Sequence, residues 1–408
     1  MSIRERKRRN RKGNKLWIFD YRDQNGKRHQ KTFKTKGAAK AYADTTGVQV
    51  REGTHVPDSV SVTVKEAGEL WLESSRAKEL ELSTIDQYEQ HLRLHIIPHI
   101  GRTRLSKLTA PFVRAFQDEL YSKGRSGAMI RGVMGSLGAI LADAQERGLV
   151  IRNAVRELRS RRRRGSGRQD RHKGKLKTGI DIPTPKEMTA LLAAAEGRWR
   201  PFLLVAVFTG LRASELRGLR WDDVDLKAGQ VHVRQRADKY NAMGSPKSAA
   251  GERTVPLPPT VVKELREWKL TCPKKDGKPG LVFPNGAGNV ENHVNIAQRG
   301  LIPTVERAGL VEPVLDERGN PKRDDQGKPL VKAKYTGLHS LRHFFASWCI
   351  NRKEDAGLGL PAKVVQERLG HASIVMTMDT YGHLFPRGDD TAELAAAERS
   401  LLGEKATR

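Results

Sequence analysis

Between residues 152 and 178 the chain carries 12 Lys and Arg against 2 Asp and Glu, interrupted by Gly165, Gly167 and Gly174. Such a stretch repels itself and is rich in glycine, so it reads as a flexible linker. Apolar, helix-forming sequence lies on both sides of it. The chain must therefore fold as separate bodies joined by a basic strap, set at 161–182. A length of 408 residues allows about two to three domains at ~100–200 residues each. The net charge of +28 is clustered, and a charge of that size implies a polyanionic partner, most often nucleic acid. No run approaches the ~18 consecutive apolar residues of a membrane span, and no secretory leader is evident. A cytoplasmic, nucleoid-associated protein is expected. Cys272 and Cys349 are the only cysteines and form no CxxC, so neither a zinc framework nor a disulfide scaffold is expected. Cys349 reads as a small core residue.

Residues 1–60 read as a small β-sheet with one helix. A basic arm, Arg4 to Lys12, precedes Trp17-Ile-Phe19-Asp-Tyr21, which alternates as a strand does. Asn25-Gly26 is a hairpin signal, Arg28 to Phe33 is the returning strand, and Thr35 caps a short Ala-rich helix through Tyr42. Residues 61–160 read as a helical bundle. Thr63 and Glu66 form a capping box, Ser83 and Thr109 open further helices, and an apolar face runs from Ile130 to Ala144. His91, His95 and His99 are four apart, but Pro98 is expected to end the helix before His99. They read as helix-face or phosphate-contacting residues and not as a metal site.

A second folded unit, 183–390, opens at the capping box Thr184-Pro185-Lys-Glu187. An apolar helix, Phe202 to Phe208, leads to Gly210, which permits a sharp bend into Arg212 and Glu215. Short strands are expected at Trp221–Asp225, Gln230–Val233 and Arg253–Leu257, with Lys247 in a polar loop before the third and Lys239 its nearest rival. Helices follow near Val261–Leu270 and Val294–Ala308. Two polar turns between 312 and 335 read as a surface insertion. An amphipathic tail, 391–408, closes the chain. The fold class is mainly α with small β-sheets (α+β).

The densest chemistry lies near the end: His339-Ser-Leu-Arg342-His343, then Leu369-Gly-His371, then Tyr381 after a short polar helix. His339 and Arg342, three apart, leave one helix face, and the pair suits a phosphate. Two guanidiniums, Arg212 and Arg342, could clamp the non-bridging oxygens of a phosphodiester. Tyr381 could attack its phosphorus and form a covalent bond to it. His343 and His383 flank these motifs and stay outside the expected catalytic set.

Together, Thr209-Gly-Leu-Arg212-Ala-Ser-Glu215-Leu, the hairpin ending in Arg253-Thr-Val-Pro-Leu257, His339-Ser-Leu-Arg342-His, Leu-Gly-His371 and Tyr381 resemble the motifs of the tyrosine recombinase (phage integrase) family. The order is the family's, across 183–390. The resemblance implies an arm-type DNA-binding module at 1–60, a core-binding (SAM-like) domain at 61–160 and a catalytic domain at 183–390. It implies Arg212, Lys247, His339, Arg342, His371 and Tyr381 as catalytic residues, with Tyr381 the nucleophile and Lys247 the general acid. Glu215 then orients or packs the site. The product is a 3′-phosphotyrosyl link and a free 5′ hydroxyl, with no cofactor, metal or ATP. Implied partners are double-stranded attachment sites, a homotetramer exchanging C-terminal segments, and accessory DNA-bending or directionality proteins. The expected function is integration, and help with excision, of a phage or other mobile element. The alternatives are a type IB topoisomerase, or a DNA-binding regulator without catalysis.

Overall fold

The computed structural model describes residues 1–6, 15–53, 55–57, 61–163, 175–275, 280–316, 319–386 and 390–402. Positions 7–12 of the expected basic arm, 164–174 of the linker, Asp389 and the last six residues lie outside this set. The chain forms two compact units, 1–171 and 172–408.

In the first unit, strands β1 (Ser2–Glu5), β2 (Trp17–Arg22) and β3 (Arg28–Phe33) form an antiparallel sheet in the order β1-β2-β3. The Asn-Gly hairpin pairs Tyr21 with His29 and Trp17 with Phe33, and Gly26 takes φ +78° in its turn. The first strand is a departure from the expected arm. Ile3 lies opposite Phe19, and Arg4 reaches the Asp20 carboxylate at 3.8 Å, so the arm's start is zipped onto the sheet. Helix α1 (Lys36–Arg51) is capped by Thr35, whose side chain accepts from the Ala38 N–H, and packs Ala39 in the unit's interior with Phe19 and Tyr21. It runs past Tyr42 and stops only at Gly53, which takes φ +69°.

The bundle consists of α2 (Val64–Ala77), α3 (Leu82–His91), α4 (Ile97–Ile100), α5 (Ala110–Ser122), α6 (Gly127–Glu146) and α7 (Ala154–Arg163). Both arms of the Thr63–Glu66 capping box are formed, and Thr109 caps α5 as its position predicts. Ser83 does not cap α3. That helix starts two residues earlier, at Leu82 after Glu81, and the Ser83 hydroxyl turns back to the Glu81 carboxylate at 3.4 Å. Val64, Val113, Val133, Leu137, Ile140 and Leu141 are fully buried, each contributing ~1.5–3 kcal/mol relative to exposure.

Pro98 does not break the helix. Residues Leu92–Ile96 form a π turn between α3 and α4, in which the Ile97 N–H bonds to Leu92 O five residues back. The wider turn relieves the clash a proline ring makes with the carbonyl four residues earlier. The second unit repeats the device: a π turn at Ile296–Leu301 precedes Pro303.

The second unit starts with α8 (Pro185–Ala193), whose Thr184–Glu187 capping box is complete, and α9 (Trp199–Thr209), buried along most of its length. A short α10 (Ala213–Gly218) follows. Strands β4 (Val224–Asp225) and β5 (Gln230–Val233) come next, then a small hairpin of β6 (Arg236–Ala237) and β7 (Met243–Gly244), then β8 (Arg253–Pro256). Sheet order is β4-β5-β8, antiparallel. The expected strand from Trp221 begins instead as a single 3-10 turn, Trp221–Asp223. Helices α11 (Pro259–Thr271), α12 (His293–Asn295) and α13 (Ile302–Arg307) lead to β9 (Val311–Pro313) and β10 (Val331–Ala333), which pair and carry the insertion between them. The unit closes with α14 (His339–Ile350), α15 (Ala362–Leu369), α16 (Ile374–Tyr381) and α17 (Asp390–Leu402). Cys349 is fully buried, and burial pushes its thiol up to about 12.

The second turn of the insertion repeats the N-terminal hairpin. Asp324 Oδ1 accepts from the Gln326 and Lys328 N–H groups, and Arg323 Nη1 donates to Gly327 O at 2.7 Å. Asp23 Oδ1 accepts from Asn25 and Lys27 in the same way, and Arg22 Nη1 donates to Gly26 O at 2.8 Å. Among the described residues, no helix is long and apolar enough to cross a membrane.

Candidate active site

Two helix ends build the pocket. Helices α9 and α15 stop at Gly210 and Gly370, with φ +60° and +63°. A left-handed residue turns the last carbonyls of each helix outward, and glycine takes that conformation without strain. A Cβ on Gly210 would come within 2.3 Å of the Phe345 ring, and one on Gly370 within 2.8 Å of Arg253 Nη1. The carbonyls receive the two arginines crosswise. Arg342 donates from Nη1 to Gly210 O at 2.6 Å and from Nη2 to Leu369 O at 2.5 Å. Arg212 donates from Nη2 to Gly370 O at 3.0 Å and from Nη1 to Glu215 Oε1 at 2.8 Å. A helix C-terminus carries partial negative charge, so each guanidinium is held where a cation is favoured.

Arg342 is 2% exposed, and burial together with the Arg212 charge lowers it to about 9, still cationic at neutral pH. A guanidinium has five N–H donors. Among the described residues each of these two spends two on the protein, leaving donors for an anion. Glu215 is buried between Arg212 and a third arginine. Arg253 binds both of its oxygens, at 3.2 and 2.9 Å, and also donates to Arg368 O and Gly251 O. Burial pushes the Glu215 carboxyl up, but the Arg253 hydrogen bonds and the charges of Arg253 and Arg212 outweigh it and hold it below its ordinary value. Arg212 thus does pair with Glu215, while keeping a bond to the Gly370 carbonyl.

Tyr381 ends α16 with 1% of its surface exposed, and Thr380 beside it is only half-buried. Burial pushes its phenol up to about 12, against the pull of Arg342 and Arg212. The His371 ring lies parallel to the phenol, with centroids 6.3 Å apart, and its Nδ1 pairs with Thr377 Oγ1 at 2.9 Å. Burial and the neighbouring arginines, Arg342 and Arg212 foremost, lower His371 to about 4. His339 is exposed at the start of α14 and meets the His343 ring edge-on at 4.6 Å.

The structure therefore gathers Arg212, Glu215, His339, Arg342, His371 and Tyr381, and leaves Lys247 on an exposed loop between β7 and the turn Ala249–Gly251. Lys239 lies with its ammonium 4.8 Å from the Tyr240 ring. Two residues of the cluster carry no role in the sequence reading. Arg253 stands inside a quoted motif, but nothing local in the sequence shows its bond to Glu215, 38 residues away. His343, set aside as a flanking residue, pairs through Nδ1 with the Tyr381 hydroxyl at 2.8 Å. Helix α16, which carries Tyr381, also differs from its expected polar character: Ile374, Val375, Met376 and Met378 are exposed along it.

An α+β unit with two arginines, histidines and a buried tyrosine around one pocket, following a small helical bundle, defines a recombinase of the tyrosine type. The model "Phage integrase family" matches residues 183–387, and "Phage integrase, N-terminal SAM-like domain" matches 63–121. The chain belongs to the phage integrase family, the tyrosine recombinases, which cleave and rejoin DNA strands. A "Tyrosine recombinase XerC-like" protein of Caldanaerobacter subterraneus subsp. tengcongensis is 26% identical, over 90% of this chain and 91% of that one. The "ICEBs1 integrase" of Bacillus subtilis is 23% identical, over 75% and 76%. Among solved structures, the Tn1549 transposon integrase in complex with transposon right end DNA aligns with TM-score 0.61 at 19% identity, covering 83% of this chain and all of that one. A lambda integrase tetramer bound to a Holliday junction aligns with TM-score 0.51 at 16% identity, covering 94% and 96%.

Proposed function

We propose that this enzyme integrates a mobile element into DNA, and helps excise it, through a covalent bond between Tyr381 and a DNA 3′ phosphate. The observation that carries this reading is the convergence of Arg212, Arg342, His371 and Tyr381 on one pocket. Arg212 and Arg342 clamp the non-bridging oxygens and stabilise the charge that builds on them, the largest catalytic term expected. Tyr381 Oη attacks phosphorus, and the 5′ oxygen leaves with a proton from Lys247, carried in by its exposed loop. His339 and His371 hydrogen-bond the phosphate. Glu215 fixes Arg212. The freed 5′ hydroxyl, or one from a second duplex, reverses the step, so the energy of the phosphodiester is kept without ATP, metal or cofactor.

The partner is double-stranded DNA at attachment sites. Residues 1–60 bind an outlying arm site, 61–160 bind beside the cleavage point, and the basic linker 161–182 lies along phosphates, as a net charge of +28 favours. Four chains act together, exchanging C-terminal segments. The exposed Leu394, Leu401 and Leu402 of α17 offer the apolar face such an exchange would bury. Accessory DNA-bending or directionality proteins assist a cytoplasmic, nucleoid-associated enzyme.

The test is trapping on a nicked duplex bearing the element's own end sequence, resolved on a denaturing gel. Wild type is expected to give a covalent band that Tyr381→Phe loses. A band that survives in Tyr381→Phe places the nucleophile elsewhere. Deleting residues 390–408 is expected to weaken assembly while single-site binding remains, and unchanged assembly would refute the exchange.

A further inference from the structure

We propose that His343 is a further catalytic residue, the base that takes the Tyr381 proton during cleavage and returns it during rejoining. This rests on the reading of Tyr381 as nucleophile. A phenol must lose its proton to bond to phosphorus, and the acceptor must touch it. Among the described residues, the histidine nitrogen recorded in hydrogen-bond contact with the Tyr381 hydroxyl is His343 Nδ1, at 2.8 Å. His371 stacks on the phenol face with its Nδ1 turned to Thr377, and His339 lies edge-on to His343. Arg212 and Arg342 are cations and offer no lone pair.

His343 is half-buried on α14, one residue past Arg342, so the helix that holds the clamp also holds the base. The groups that act on it are His339 and Arg342 from its own helix, Tyr381 from α16, and Asp181 from the segment before α8. Burial, then His339 and Arg342, lower it to about 4, with Asp181 pulling the other way. It is therefore neutral at working pH, and a neutral imidazole has one accepting nitrogen. With the phenol raised and the imidazole lowered, the empty pocket keeps the proton on Tyr381. A phosphodiester brings negative charge beside the imidazole, and a nearby opposite charge favours the protonated ring. Proton transfer is thus tied to the arrival of DNA.

The step balances. Tyr381 Oη forms a bond to phosphorus while the bond from phosphorus to the 5′ oxygen breaks. The phenol proton passes to His343 Nδ1, and the 5′ oxygen takes its proton from the general acid. In rejoining, the 5′ hydroxyl returns its proton to the general acid's conjugate base as it attacks, the phosphotyrosine bond breaks, and the imidazolium returns its proton to the departing phenolate.

The test uses the full chain, the nicked duplex above and single-turnover rates of covalent-complex formation from pH 6 to 9. His343→Asn places an amide oxygen near Nδ1, so it can accept the phenol hydrogen bond but cannot take the proton. We expect His343→Asn and His343→Ala to slow cleavage by ~10²–10⁴-fold, with duplex affinity unchanged. Their residual rates should climb with pH as hydroxide replaces the base. If a melting scan shows His343→Ala unfolded, His343→Asn decides alone. A His343→Asn rate within about threefold of wild type, with an unchanged pH profile, overturns the proposal and leaves His343 as an orienting contact. Tyr381→Phe is run beside them: a covalent band in that variant sinks the nucleophile assignment itself, whereas its loss with His343→Asn intact sinks only the base.

Discussion

Two helical segments of this chain carry histidines four residues apart, and the two pairs meet different fates. His91 and His95 lie inside the bundle of the first unit. His91 Nδ1 pairs with the Ser136 hydroxyl at 2.8 Å, and His95 Nδ1 is buried without a hydrogen-bond partner. His99, next in the series, takes the Glu119 carboxylate at 2.7 Å, an acidic neighbour invisible in the local sequence. His339 and His343 occupy the same spacing on α14, but His343 pairs with a phenol and His339 feels the charges of two guanidiniums. Loss of water around the ring, ahead of neighbouring positive charge, lowers the proton affinity of all four. Spacing and titration are therefore shared, and only the partner differs: a fixed hydroxyl in one unit, a group able to react in the other.

That contrast can be broken most forcefully at the phenol. Tyr381→Phe should remove covalent-complex formation below detection while duplex affinity holds, as gel trapping and fluorescence anisotropy would read. Arg342→Ala should cost at least ~10²–10³-fold in single-turnover cleavage, the loss typical of one stabilising donor. It should also lower the melting temperature, because Gly210 O and Leu369 O lose their donor. Gly210→Ala tests the frame behind the arginines. It forces a methyl group against Phe345 at a left-handed residue, and should destabilise the chain by roughly 1–3 kcal/mol. An unchanged melting temperature would mean that the α9 end yields easily.

In the bundle, His91→Ala should cost about 1–3 kcal/mol through the unpaired Ser136 and lost packing on Gly132. The cleavage rate of bound complex should stay within about twofold of wild type. A rate collapse there would erase the distinction drawn between the two helices. The smallest effect is on pH. His91 has its folded proton affinity lowered below the ordinary 6.5, so the unfolded chain binds the proton more tightly. Its contribution to stability is present above about pH 6.5 and is lost as the pH falls toward the folded value. His91→Gln should therefore flatten the decline of melting temperature between pH 7 and 5. An identical decline would assign it to other groups.

Much of this was legible in sequence. Thr63–Glu66 and Thr184–Glu187 are local signals, complete within four residues, and both caps formed. The order of motifs from Arg212 to Tyr381 identified the family. Pro98 misled because a proline's clash is local while its relief, a π turn, is set by bundle packing. Ser2–Glu5 was hidden because its polar residues read as an arm until Ile3 met Phe19 across the sheet. His343 and Arg253 each owe their place to contacts 38 residues away, and no periodicity carries that information.

The crossed helix ends have an electrostatic consequence. Among the described residues, Arg212 and Arg253 share a single carboxylate, Glu215, and the other partners of these two and of Arg342 are uncharged carbonyls. With His371 and His343 neutral, this cluster holds a surplus of two positive charges. A phosphodiester bears one negative charge at rest and approaches two as the attacking oxygen adds. On the proposed chemistry the arginines face one negative charge in the bound ground state and nearly two at the summit of the reaction, where the proton gained by His343 adds a further positive charge beside them. An enzyme gains speed from that imbalance, because only attraction that grows along the path lowers the barrier.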